Sequence, residues 1–241
     1  MIRRTLVVLV AVSLLTACSG DGDESRSPDT RPSVGGAVLD GAPPTDRATD
    51  RATDRATDGA TDRVLVLGDS NLFESGAQVD AALQGVGLEP TLRGVPSLGL
   101  KDLDAYWLRE LPPLLAADPA VVVVALGTND TTTRADVEAF SARIDAMLRA
   151  IGERPVVWLT HVEHRPFEVA GGGHSVNEAI RAAATRWPNL TVLDRTGHLE
   201  DDPSLLRGDG LHFTEAGMVA FGDEIAAAAR AALAASGVAA P

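Results

Sequence analysis

The sequence predicts an α/β fold, a three-layer α/β/α sandwich built on about five parallel strands, and three observations predict it. Candidate strands recur along the chain at Val64–Leu67, Thr91–Gly94, Val121–Leu126, Val156–Thr160 and Leu190–Asp194. The first and third are unbroken branched or small aliphatics, the pattern of strands buried on both faces. Segments with helical spacing lie between the runs, with short connections, as in repeated strand–helix–strand units. Finally, 241 residues, 45% of them hydrophobic, suffice for one good core and leave little room for a second large domain.

Taken in order, the chain opens on Met1-Ile2-Arg3-Arg4 and the apolar run Leu6 to Leu15, the charged start and short hydrophobic stretch of a secretory signal. The run is too short for a comfortable membrane span. It closes in Leu15-Thr16-Ala17-Cys18, which resembles a lipoprotein processing site, and Cys18 is the only cysteine. A lone thiol cannot form an internal disulfide, and a lipid carried on Cys18 accounts for it. We therefore expect residues 1–17 to be a signal peptide and the protein to be exported and anchored to the outer face of the membrane.

Residues 18–62 are rich in Gly, Pro, Ser, Thr and Asp and include the repeat TDRATDRATDRATDGATDR from Thr45 to Arg63. No large apolar residues recur there to be buried, so the stretch reads as a disordered tether with a reach on the order of 35 Å. Residues 63–237 form the expected domain. Its clearest helix carries Val137, Phe140, Ile144, Leu148 and Ile151 on one face, with Thr133 as N-cap and Asp136 three residues on. A second is expected to begin at Ser175, with Glu178 completing a capping box and Val176, Ile180, Ala183 and Trp187 buried. The last follows Thr214 and buries Met218, Phe221 and Ile225, and packing must set the end of its alanine-rich tail. A formal net charge of −13 argues against nucleic acid as a partner, because phosphates require a basic face.

The polar residues that can carry chemistry fall at strand ends, where open α/β sheets bind their ligands. Val64 to Leu67 ends in Gly68-Asp69-Ser70-Asn71, delivering a serine at the tip of a buried strand. After the second strand, Arg93-Gly94-Val95-Pro96-Ser97 offers an unobstructed backbone N–H at Gly94. After the third, Gly127-Thr128-Asn129-Asp130 offers the amide of Asn129 to a developing oxyanion. Before the last helix, Asp209 lies three residues ahead of His212, a spacing that lets a carboxylate hold an imidazole on a turn. Serine hydrolysis needs a nucleophile, a base, an orienting acid and oxyanion donors, and each is present.

With these four blocks in hand, GDSN at Gly68–Asn71, RGVPS around Gly94, GTND at Gly127–Asp130 and DGLHFT at Asp209–Thr214, the sequence resembles the SGNH subgroup of the GDSL hydrolases. That family consists of serine esterases and acyl-transfer enzymes with a flavodoxin-like sandwich. The resemblance implies Ser70 as nucleophile, His212 as general base, Asp209 as its orienting acid, and Gly94 and Asn129, with the Ser70 N–H, as the oxyanion hole. One departure is that the leucine usual after the family's GDS is Asn71 here. The local order around Ser70 also lacks a GxSxG elbow, which argues against the larger α/β-hydrolase fold.

Other polar residues have simpler readings. His161 and His164, with Glu163 between them, lack further ligands at suitable spacing for a metal and are read as a loop lining the cleft. Asp194, Asp201 and Asp202 compete with Asp209 as the orienting acid at less direct spacing. Gly171-Gly172-Gly173 reads as a mobile rim. The expected reaction is hydrolysis of short-chain acyl esters, acetyl above all, through an acyl-serine, with no metal or organic cofactor. The expected substrate is a small-molecule or carbohydrate ester. Asn177 at the opening of a helix and the segment Trp187–Asn189 resemble SGNH domains that act on cell-envelope polysaccharide. Transfer of the acyl group to a polysaccharide hydroxyl uses the same residues and is the alternative. A catalytically silent glycan-binding lipoprotein is a second one.

Overall fold

The computed structural model describes residues 63–163 and 168–237. Cys18, the leader, the repeat tether and His164 lie outside the described residues. Strands β1 (Arg63–Gly68), β2 (Glu89–Gly94), β3 (Val121–Ala125), β4 (Val156–Leu159) and β5 (Leu190–Leu193) form one sheet in the order β2-β1-β3-β4-β5, and every pairing is parallel. Helices α1 (Ser70–Glu74), α2 (Gly76–Gly85), α3 (Leu108–Leu115), α4 (Arg134–Ile151), α5 (Gly172–Ala184), α6 (Thr196–Asp201) and α7 (Glu215–Ala235) follow in chain order. The fold is the α/β sandwich with five parallel strands that the sequence predicts, and each predicted strand is present with ends shifted by a residue or two.

Successive side chains of a strand face opposite sides of the sheet, and β1, β3 and β4 use that alternation to supply two cores. Leu65, Leu67, Val122, Val124, Val156 and Trp158 face α3, α4 and α5. Val64, Val66, Val121, Val123, Val157 and Leu159 face α2 and α7. These strands therefore read as continuous apolar runs because neither face meets water.

α4 begins as expected, with the Thr133 hydroxyl accepting from the Asp136 N–H at 3.1 Å. Phe140, Ile144, Leu148 and Ile151 are fully buried, while Val137 packs part-buried at the margin. α7 begins at the Thr214 N-cap, whose hydroxyl accepts from Gly217 N–H at 3.3 Å. Its alanines at 226, 229 and 232 are buried, and small residues let it lie close to α2: a Cβ on Gly222 would come within 2.8 Å of the Gln78 carbonyl.

α5 departs from expectation. It begins at Gly172, with Gly171 as N-cap at φ 72°, and the Ser175 hydroxyl donates back to the Gly171 carbonyl at 3.0 Å. Ser175 is thus inside the helix, and Glu178 pairs with His174 at 3.2 Å instead of closing a capping box. Gly173 is required by packing, since a Cβ there would come within 2.5 Å of the Glu163 carbonyl, while Gly171 supplies the positive φ of the cap. Asn177 sits in the helix interior and is fully buried. Its amide accepts from His161 N–H at 3.2 Å and donates to the His161 carbonyl at 2.7 Å, fixing the loop after β4.

Candidate active site

β1 ends at Gly68, and Asp69 caps α1 by accepting the Asn71 N–H at 2.9 Å. This short cap turns the chain so that Ser70 occupies the first position of α1, where a backbone N–H has no intrahelical acceptor. Gly68 is needed because a Cβ there would lie 2.6 Å from that of Leu72. The segment before α7 delivers the other half. Asp209 accepts the backbone N–H groups of Leu211 and His212 at 2.9 and 3.0 Å, and Gly210 takes φ 64° at the bend.

The side chains then meet in line. The His212 Nδ1–H donates to Asp209 Oδ2 at 2.8 Å, and His212 Nε2 lies 3.1 Å from Ser70 Oγ, across 142 residues of sequence. Because the carboxylate holds the proton on Nδ1, Nε2 is the free acceptor that faces the serine hydroxyl. The hydrogen bond from His212, reinforced by the two backbone donors, holds the Asp209 carboxyl at about 2, so it is ionised across the working pH range. Asp194 is not a competitor for the histidine: it accepts from Arg181 at 2.7 Å and from Thr160 at 2.9 Å. Asp202 turns instead to Ser204 at 2.5 Å.

Gly94 closes β2 opposite Gly68. Val95 N–H donates to the Gly68 carbonyl at 3.0 Å, so strand alternation turns the N–H of Gly94 away from β1. A side chain is not tolerated there, because a Cβ on Gly94 would lie 2.5 Å from the backbone nitrogen of Phe73. Asn129 lies in the turn Thr128–Thr131 after β3. One of its amide hydrogens goes to the Leu98 carbonyl at 2.9 Å, which fixes the amide plane and leaves its second N–H as a donor.

Several supporting residues have roles that the sequence reading did not assign. Asp130 is fully buried and accepts the N–H groups of Leu100 and Lys101 at 2.7 and 2.5 Å. With Asn129 on Leu98, it joins the loop after β2 to the loop after β3. Burial pushes its carboxyl up to about 6 against the opposing effect of those two donors. Asn71 donates to the Leu211 carbonyl at 3.3 Å, and Glu74 pairs with Arg207 at 2.6 Å, so α1 is tied twice to the segment that carries Asp209 and His212. Arg195 is buried against Glu224, with its guanidinium over the rings of Phe213 at 5.1 Å and Phe221 at 4.8 Å. It thereby backs the residue next to His212.

His161 lies against Gly127, where a Cβ would approach its ring to 2.9 Å. With Asp69, Asn71, Thr128, Arg195 and Phe213 it lines a small, partly open pocket between the Ser70 turn and the core. Glu163 leaves the cleft and pairs with His174 at 3.1 Å.

Residues 54–220 match the GDSL-like Lipase/Acylhydrolase family. No curated protein matches the chain in sequence. Among solved structures, a lipase/acylhydrolase from Enterococcus faecalis is similar with a TM-score of 0.60 at 20% identity, over 69% of this chain and 94% of that one. A family 3 carbohydrate esterase from Clostridium thermocellum gives 0.57 at 14% identity, over 72% and 97%. A carbohydrate esterase family 3 protein from Talaromyces cellulolyticus gives 0.54 at 19%, over 71% and 97%. At these identities the likeness to the solved structures is one of fold.

Proposed function

The chain belongs to the GDSL-like lipase/acylhydrolase family and is an ester hydrolase, and from that premise we propose that Ser70, His212 and Asp209 are its catalytic triad and that its substrates are short-chain acyl esters, acetyl esters of carbohydrate above all. The observation that carries the assignment is the line of contacts from Ser70 Oγ through the His212 ring to Asp209, at 3.1 and 2.8 Å.

In the proposed reaction Ser70 Oγ attacks the ester carbonyl while His212 Nε2 takes its proton. Asp209 holds the ring and offsets the charge that the imidazole acquires. The oxyanion is met by the N–H groups of Ser70 and Gly94 and by the second amide N–H of Asn129. His212 then gives its proton to the leaving alcohol, an acyl-Ser70 forms, and a water activated by the same histidine releases the acid. The fold likeness to two carbohydrate esterases supports a sugar ester as substrate. The leader and Cys18 support an exported, lipid-anchored enzyme working at the cell envelope. Loss of membrane association in Cys18→Ala tests that placement, and retention overturns it.

The test of the triad is turnover of p-nitrophenyl acetate together with labelling by a serine-directed phosphonate. Wild-type protein is expected to do both, and Ser70→Ala to lose labelling and at least about a thousandfold in kcat. Unchanged turnover in Ser70→Ala overturns the assignment.

A further inference from the structure

Helix α1, which begins at Ser70, also carries side chains that acyl transfer does not use. Phe73 and Glu74 follow Ser70 by three and four residues on α1, so the three share one helix face. Phe73 is 63% exposed, and the other exposed large hydrophobics among the described residues are two valines, Val86 and Val219. The backbone of Phe73 is held close against Gly94, the residue assigned to the oxyanion hole. Beside it Glu74 reaches Arg207 at 2.6 Å, and Arg207 N–H donates to the His212 carbonyl at 2.7 Å. Glu74 and Arg207 are 33% and 44% exposed. A carboxylate accepts about four hydrogen bonds and a guanidinium donates five, so both have capacity left for a ligand.

An exposed ring that shares its helix with a half-exposed acceptor and the donor paired to it suits a molecule with one apolar face and a polar rim. We propose that Phe73, Glu74 and Arg207 form a subsite for the alcohol portion of the substrate, and that this portion is a pyranose ring. The C–H face of the sugar lies on Phe73, and its hydroxyls replace the water on Glu74 and Arg207. An alkyl chain in the same place strips that water from two charges and returns no hydrogen bond, which is costly. The inference rests on the carbohydrate-esterase reading of Ser70 and adds to it the residues that receive the sugar.

Three acetates of primary alcohols test it: 6-O-acetylglucose, propyl acetate and hexyl acetate. The acyl group and the ester are the same in all three, and only the alcohol differs. Wild type is expected to favour the sugar ester over both alkyl esters in kcat/KM. Phe73→Ala is expected to cut the preference for sugar over propyl about tenfold, chiefly through KM, and Phe73→Trp to keep it. Glu74→Gln is expected to cut it severalfold. Turnover of all three with an unchanged ratio in Phe73→Ala overturns the subsite and leaves the esterase reading standing. A wild-type preference for hexyl acetate that Phe73→Ala abolishes assigns the surface to an alkyl chain and overturns the sugar. Absence of turnover on all three by wild type overturns the carbohydrate-esterase reading and the subsite with it.

Discussion

Asp130 makes the stability of the domain depend on pH in the direction opposite to most carboxylates. Its carboxyl titrates at about 6 in the fold against 3.8 in a free chain, because burial outweighs the two backbone donors from Leu100 and Lys101. Between those values the folded chain holds a proton that the unfolded chain has released, so stability contributed by Asp130 falls as pH rises through that window. The gap amounts to about 3 kcal/mol at 1.4 kcal/mol per pH unit. Asp130→Asn preserves the size of the side chain and abolishes the titration. It also leaves one of the two N–H groups facing an amide nitrogen, which costs about 1–3 kcal/mol at every pH. Urea unfolding of both proteins at about pH 4 and about pH 7 isolates the group, since all other titrations cancel in the difference. The advantage of wild type over the variant is expected to shrink by about 2 kcal/mol from the lower pH to the higher, since at pH 4 the unfolded carboxyl is already partly ionised. An advantage that stays constant or grows with pH refutes the reasoning, and shows that the backbone donors, not burial, set the carboxyl.

Asp209→Asn is expected to keep the fold and lower kcat about a thousandfold or more, because the imidazole loses the partner that fixes its tautomer. Since that carboxyl sits at about 2, the wild-type rate profile above about pH 4 is expected to show no limb from it, and a limb that disappears in the variant contradicts this. Gly94→Ala forces a methyl group to within 2.5 Å of the Phe73 nitrogen, so α1 must move and carry Ser70 with it. A loss of about 1–3 kcal/mol in stability should accompany a fall in kcat, and a fully active, equally stable variant is the contrary result. Reversing Glu74 alone or Arg207 alone is expected to lower kcat/KM by breaking the tie between α1 and the histidine segment. Glu74→Arg with Arg207→Glu restores part of it. The pair is half-exposed, so its effect on stability is about 1 kcal/mol or less.

The middle of the sheet was legible because β1, β3 and β4 are buried on both faces and so carry an unbroken apolar signal, as Val121 to Val124 do. α3 carried no such signal: Pro112 and Pro113 lie inside it and read as breakers, yet the irregular turn over Leu103–Trp107 feeds directly into it. The start of α5 was misplaced because Ser175 and Glu178 have capping-box spacing, while the actual cap is set by close packing of Gly173 on Glu163, a contact no local pattern announces. At the proposed site, Ser70, His212, Asp209, Gly94 and Asn129 stood out in the sequence because their residue types are tied to a chemistry. Asp130, Arg195 and the Asn71–Leu211 tie act through distant partners, and only the fold reveals which carboxylate, guanidinium or amide is buried and against what.

The line from Ser70 to His212 joins the first strand of the described fold to the approach of its last helix. β1 lies inside the sheet, between β2 and β3, and nothing short of the docking of α7 brings the imidazole to the hydroxyl. A chain lacking its final segment, or caught partway through folding, is therefore chemically silent however much of the sheet has formed. Recovery of phosphonate labelling after dilution from urea accordingly reports the completion of folding, and it should follow the slowest phase seen by Trp158 and Trp107 fluorescence and precede none of them.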